Sequence, residues 1–128
     1  MTNEAILNAV FSKLASLGGL PAILYPNRKY STPPTEYIAV SVMPIPTTTY
    51  SFDYGELKSG LIQCNVVVPI DVGVIKGAQI ADTIITAMKN GTVIGGDLKV
   101  SKPPYASGSI IDGASYIVPV TIQYRVVI

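Results

Sequence analysis

Cys64 is the one cysteine in this 128-residue chain, and there is no histidine. Those two counts exclude an internal disulfide, a zinc site built on imidazole, and the Ser/His and Cys/His pairs that activate most protein nucleophiles. Cys64 alternates with Ile62, Val66 and Val68, a pattern that reads as a buried structural thiol with no base beside it. The carboxylates Asp53 and Glu56 share one loop-like stretch, while Asp97 and Asp112 lie near later turns. Two-carboxylate hydrolysis needs its groups held at a fixed separation in a cleft, and nothing in this spacing supplies that, so they read as solvated turn residues. Asp71 reads as a helix cap. Gly18-Gly19, Gly91 and Gly95-Gly96 fit neither the phosphate-loop nor the dinucleotide pattern and serve as turn chemistry. Tyr25, Arg28, Lys29 and Tyr30 form the one compact basic and aromatic cluster. Bases could stack there, but no second basic patch extends it, and it reads as an ordinary surface crossover. No catalytic, metal-ligating or cofactor-binding residue is assigned, and the expectation is a protein that is not an enzyme and carries no cofactor.

Composition points the same way. The chain is 48% apolar with a mean hydropathy of +0.43, which argues against disorder, and its length suits one domain spanning residues 1–128. Charged residues make up 13%, about half the usual fraction of a globular protein, so contacts with other subunits are expected to cover part of the surface. Nine basic against eight acidic residues leave a net charge of +1 and no broad field for a phosphate backbone. Met1-Thr2-Asn3-Glu4 leads into an amphipathic segment with neither a basic n-region nor a secretory apolar core, and no apolar run is long enough to span a membrane. Synthesis in a cytoplasm is the expectation, with no membrane partner.

Two helices and several strands must position whatever these residues do. Over residues 4–17, Ile6, Leu7, Val10, Phe11, Leu14 and Leu17 fall in one arc at helical spacing, with Thr2 or Asn3 to cap the start and Gly18-Gly19 then Pro21 to stop it. The prolines of residues 22–35 predict a crossover. A strand follows from Tyr37 to Val42, closed by Met43-Pro44-Ile45-Pro46. Residues 47–60 mix threonine, tyrosine and phenylalanine with polar positions; a projecting arm and a well-packed strand pair both fit them.

From Leu61 to Ile70, the residues Ile62, Cys64, Val66, Val68 and Ile70 share a buried face, with Gln63 and Asn65 opposite. Residues 71–90 predict a helix whose apolar side holds Val74, Ala78, Ala81, Ile84, Ile85 and Met88 and which leaves at Gly91. A short strand is expected over residues 98–102, then a turn-rich loop over 105–113 anchored by Ile110 and Ile111. The last strand, from Tyr116, puts Val118, Val120, Ile122, Tyr124 and Val126 on the core side and Thr121, Gln123 and Arg125 on the other. Pro69 and Pro119 must sit where no ladder donor is needed. The expected fold is α+β, with two helices packed on one face of a mostly antiparallel β-sheet and a long loop or hairpin arm. Tyr50, Phe52 and Tyr54 on the arm, and Ile75 and Ile80 at the margin of the second helix's apolar arc, are candidate subunit-interface residues.

The ordered set "YIAVSVMP", "SGLIQCNVVVPIDVG", "AQIADTIITAM", "KVSKPPY" and "ASYIVPVTIQYRVVI" resembles small tail terminator proteins of long-tailed bacteriophages and prophages. Gly60, Pro69, Gly73, Ala81-Asp82, Tyr116, Pro119 and Tyr124 carry the resemblance, which covers residues 37–128; the first helix agrees in position and character. No single motif is diagnostic.

The resemblance implies a structural protein forming a ring, commonly hexameric, that caps the head-proximal end of the tail tube and offers a joining surface to the neck or head-completion proteins. Its partners would be further copies of itself, the tail tube protein and the neck, with DNA passing the lumen without specific binding. Its place would be the virion tail, assembled in the host bacterial cytoplasm. The family has no catalytic residues to transfer. The absence of tryptophan and the low arginine content depart from many relatives and bear on the neck contacts. Two other readings are a neck connector or tube subunit of the same particle, and a small-molecule or peptide-binding module with a deep apolar cavity between helices and sheet.

Overall fold

The alternation of apolar residues in two segments produces two adjoining strands, and everything else is arranged around them. The structure is a computed structural model that describes residues 2–26, 36–49, 56–70, 73–113 and 115–126. In chain order its elements are α1 (Asn3–Ala15), β1 (Ala22–Leu24), β2 (Tyr37–Thr49), β3 (Glu56–Pro69), α2 (Ile75–Ala87), β4 (Val93–Gly95), β5 (Leu98–Val100), β6 (Tyr105–Ala106), β7 (Ile110–Asp112) and β8 (Ser115–Val126). They form one sheet in the order β1-β2-β3-β8-β5-β4, with β6 and β7 also paired to β8. Among the described strands, only β1 with β2 is parallel. The β3–β8 ladder runs from Ser59↔Arg125 to Pro69↔Ser115, and on its inner face Ile62, Cys64, Val66, Val120 and Ile122 are fully buried.

Both helices pack on that inner face of a curled sheet, as expected. The Thr2 hydroxyl caps α1 by accepting from the Ala5 amide at 3.2 Å, and Ile6, Val10 and Leu14 are buried one turn apart. Phe11, on the rim, meets Tyr25 edge to face at a centroid distance of 5.1 Å. α2 departs from expectation in two ways. It starts at Ile75 with Val74 as N-cap and no side-chain cap, while Asp71, the expected cap, lies outside the described residues. Its buried side is Gly77, Ile80, Ala81, Ile84 and Met88, so Val74, at 60% exposure, and Ala78 face out rather than in. Gly77 explains the rotation. A Cβ there would lie 3.1 Å from Val118 Cγ2, so the missing side chain lets the helix approach β8 along the Gly77 line.

The strands extend beyond what proline and glycine suggested. β2 does not close at Met43-Pro44-Ile45-Pro46 but runs on to Thr49, paired with β3 as far as Thr49↔Glu56. β1 covers β2 only from Tyr37 to Ala39, so beyond that point the outer edge of β2 has no partner strand among the described residues; Pro44 pairs in register with Gly60, and Pro46 falls where the β2–β3 register shifts between Ile45 and Thr48. Of residues 47–60, residues 47–49 thus continue β2 and residues 56–60 begin β3, the two strands paired with each other. Pro119 falls in the gap between β6, which pairs with Val120 and Thr121, and β7, which pairs with Ser115 to Ile117. The expected crossover contains β1, and the turn-rich 105–113 stretch contains β6 and β7. Ile110 and Ile111 do not anchor it; they are 53% and 65% exposed. Ile70 lies in the turn after β3 and is exposed, whereas Val67, on the outer face, is buried with Tyr37 and Ile117 as its register partners on either side.

Candidate assembly surfaces

Register converts the outer face of the sheet into rows. Ser41, Gln63, Thr121 and Tyr105 lie side by side across four strands, next to a row of Ala39, Asn65 and Pro119. The Gln63 amide donates to Asn65 Oδ1 at 3.2 Å, locking two neighbouring polar side chains together. The polar residues that the sequence placed opposite the core, Gln63, Asn65, Thr121 and Gln123, therefore do share one surface. Arg125 and Lys99 are register partners at the end of it nearer the hairpin.

A second surface is apolar and lies at the opposite end of the β3–β8 ladder. The outward side of α2, with Val74, Ile75 and Ala78, faces Ala106, Ser107 and Ser109 across a groove of about 250 Å³ floored by Tyr116 and Val118. Ile75 is 64% exposed there. Ile80 instead packs into the core cluster, which leaves it little surface to offer a neighbour; reading it at the margin of the apolar arc is corrected by the same Gly77-set rotation. Tyr50, Phe52 and Tyr54 lie outside the described residues. Tyr105, Ile110 and Ile111 were missed as surface residues. The signal was present: consecutive apolar residues in a strand point to opposite faces, so Ile110 and Ile111 could not both enter one core.

Elsewhere the chemistry is sparse. Cys64 is fully buried, and burial pushes its thiol from the ordinary 9.0 up to about 12, the opposite of what a nucleophile needs. Tyr124 is shifted upward for the same reason. Among the described residues no cluster of His, Cys, Asp or Glu could hold a metal ion, and no helix is long and apolar enough to cross a membrane. Arg28, Lys29, Tyr30 and Asp53 fall outside the described residues, so the basic and aromatic cluster and the Asp53/Glu56 pair cannot be assembled into sites. A second groove, of about 190 Å³, lies between the start of α1 and β2, lined by Ile6, Leu7, Val42, Pro44 and Tyr124. Both grooves are open and smaller than the roughly 300–1,000 Å³ of small-molecule sites, so neither is the deep cavity a ligand-binding module would require. What the molecule offers is a sheet face whose central rows are polar and uncharged, with Lys99 and Arg125 at one end of it, and an apolar end, which suit contacts with other proteins.

A comparison with curated proteins finds no match. Among solved structures, one that carries no functional description superposes with a TM-score of 0.75 over 100% of this chain and 98% of its own, at 24% identity, a likeness of fold. The family model described as "Phage tail terminator protein" matches residues 4–124, from the first turn of α1 to the buried Tyr124 of β8. The chain belongs to the phage tail terminator protein family.

Proposed function

We propose that this chain closes the head-proximal end of the tail tube as a ring of six copies, each a single domain spanning residues 1–128, touching the tube protein below and the neck or head-completion proteins above. The observation that carries this reading is the family match over residues 4–124; it makes the protein a structural, non-catalytic component of the virion tail, assembled in the host cell. The ring, its copy number and the identity of its partners are the finer part of the proposal.

The mechanism is saturation of an open interface. A tube grows because each added ring exposes the surface that receives the next, and growth ends when a ring matches that surface below and shows a different one above. The low charge of the chain supports such contacts, because little charge must be stripped of water when protein surfaces meet. A net charge of +1 also suits a channel through which DNA passes without being held. The end of the β2–β3 hairpin, with Tyr50, Phe52 and Tyr54 in the sequence beyond Thr49, is assigned to contacts between copies or rings, together with Ile75 on α2.

Electron microscopy of particles assembled with and without the protein tests this reading. Its absence gives tails that overrun their length or fail to join heads, and labelled copies lie at the head-proximal end. Label along every ring would make it a tube subunit, label confined to the head vertex a connector, and normal infectious particles without it would defeat the assembly role. Shortening the hairpin should impair oligomerisation and tail joining more than monomer folding.

A further inference from the structure

We propose that the outer face of the sheet, the one turned away from both helices, meets the DNA that passes through the ring, and that Lys99 and Arg125 on it contact the phosphate backbone. The inference rests on the ring reading above and names the residues that the DNA touches.

Three observations carry it. The first is a pair of like charges that the fold leaves unanswered. Lys99 on β5 and Arg125 on β8 are register partners and both are exposed, so two positive side chains stand next to each other on one face. Like charges directly opposite across a ladder oppose its formation. Among the described residues neither makes an ion pair, although the exposed Asp97 is close to Lys99 in sequence. A pair that works against the fold and is not neutralised within it is a place for an anion from outside.

The second is the sign along the face. In the register rows from Ser59↔Arg125 to Pro69↔Ser115, the charged residues on the outer face are Lys99, Arg125 and Asp112. Asp112 is the register partner of Ser115, about ten positions along β8 from Arg125 and therefore roughly 34 Å away at the usual rise per residue. The rows between are uncharged, and Ser41, Gln63, Asn65, Thr121 and Gln123 among them are hydrogen-bonding residues.

The third is the company the two cations keep. Ser59 flanks Arg125 in its own row, and in the next row the Ser101 amide donates to the Gln123 carbonyl at 2.9 Å, which brings a second serine beside the pair. Uncharged hydrogen-bonding side chains around fixed cations are the set that meets phosphate and sugar oxygens. Both grooves, by contrast, open on the helix side, against Tyr116 and Val118 or Val42 and Tyr124, and that is where a protein partner finds apolar pockets for its anchors. Phosphate contacts read no sequence and are screened by salt, so a belt of one such pair per copy guides a duplex without holding any stretch of it.

Fluorescence anisotropy with a labelled DNA duplex of arbitrary sequence, titrated over a range of salt, tests the assignment on the full chain. Lys99→Gln combined with Arg125→Gln should weaken binding about tenfold at low salt and lower the slope of log K against log salt by about 1 for each cation that meets a phosphate. Lys13→Gln combined with Lys89→Gln removes the same charge from the two helices and should leave binding within about twofold of the unmodified protein. Equal loss in the two double variants, or no binding by the unmodified protein at low salt, overturns the inference. A Lys99→Gln/Arg125→Gln protein that binds DNA normally but fails to join tube or neck assigns the cations to an acidic protein surface and overturns it as well. Light scattering separates this from the ring reading: a ring indifferent to the two cations sinks the inference alone, and a protein that stays monomeric under assembly conditions sinks the ring and with it the belt. Lys99→Glu adds a second readout, because it turns the like-charged pair into an attractive one: DNA binding should fall while the melting temperature holds or rises, and a lower melting temperature overturns the claim that the pair works against the fold.

Discussion

Two isoleucines of α2 have opposite surroundings. Ile84 is fully buried against the sheet, whereas Ile75, nine positions earlier on the same helix, is 64% exposed. Helical periodicity tells which residues share a side, but at the start of α2, where Val74, Ile75, Ala78 and Ile80 are all apolar, it does not fix the direction of the buried arc. Here Gly77 decides it, since the helix comes closest to Val118 where there is no side chain to hold it off. The difference teaches that exposed apolar residues on this molecule are not leftovers from an imperfect core. The core is complete without them, and their surface is available to a neighbour.

The largest effect is expected from breaking the buried side. Ile84→Ala removes a side chain with no exposed area from the contact between α2 and the sheet and should lower stability by about 2–5 kcal/mol, read from urea or thermal unfolding of the monomer. A loss below about 1 kcal/mol would mean that α2 is loosely seated and that the contrast between its sides is false. Gly60→Ala probes the same closeness at the other end of the sheet. The added Cβ would overlap the Tyr124 hydroxyl and stand 2.8 Å from the Met43 carbonyl oxygen, so strand and ring must both move. Overpacking of this kind costs about 1–3 kcal/mol, and full stability in Gly60→Ala would show that the Tyr124 ring does not lie over the glycine.

Cys64 extends the comparison to ionisation. Its folded thiol ionises near 12, against 9.0 when free, so between those values the unfolded chain gives up the proton and the folded one keeps it. Stability from this group is therefore complete below about pH 9 and lost as pH rises toward 12, and Tyr124, shifted the same way, adds to the alkaline loss. Cys64→Ala should cost about 1–3 kcal/mol at neutral pH through a small cavity, and should flatten the decline above pH 9. Rapid modification of the native thiol by a bulky reagent at pH 8, without unfolding, would place Cys64 at a surface instead.

Which parts were legible follows from which signals are local. Strict alternation at Ile62, Cys64, Val66 and Val68 and from Val118 to Tyr124 identified the central ladder, and the capped, one-sided pattern of α1 identified that helix, because each depends on a few consecutive residues. Pro44 and Pro46 misled because a proline ends a strand only if its missing donor is needed, and that depends on β1 stopping at Leu24. β1, β4, β6 and β7 are two or three residues long and exist by pairing with a strand distant in sequence, which no window of residues reveals. Of the candidate interface residues, Ile75 lies on the surface at the first position of α2. Ile80 entered the core because the arc's true direction was set by the contact of Gly77 with Val118, far along the chain.

The smallest effect on the folded monomer is expected where the surface is most apolar, and that is the sharpest form of the comparison. Ile75→Ser and Ile111→Ser change side chains that are 64% and 65% exposed, so each removes little area that folding itself buries and should alter monomer stability by no more than about 0.5 kcal/mol. The two positions are nevertheless not equivalent in what they offer a neighbour. Ile75 is part of the groove wall, while Ile111 lies on the β7 strand just outside it. Sedimentation of the two variants at equal concentration should therefore show the greater loss of assembly for Ile75→Ser, with superimposable unfolding curves for both. If Ile75→Ser instead destabilises the monomer by as much as Ile84→Ala, the two sides of α2 do not differ as described, and the apolar surface belongs to the fold rather than to its neighbours.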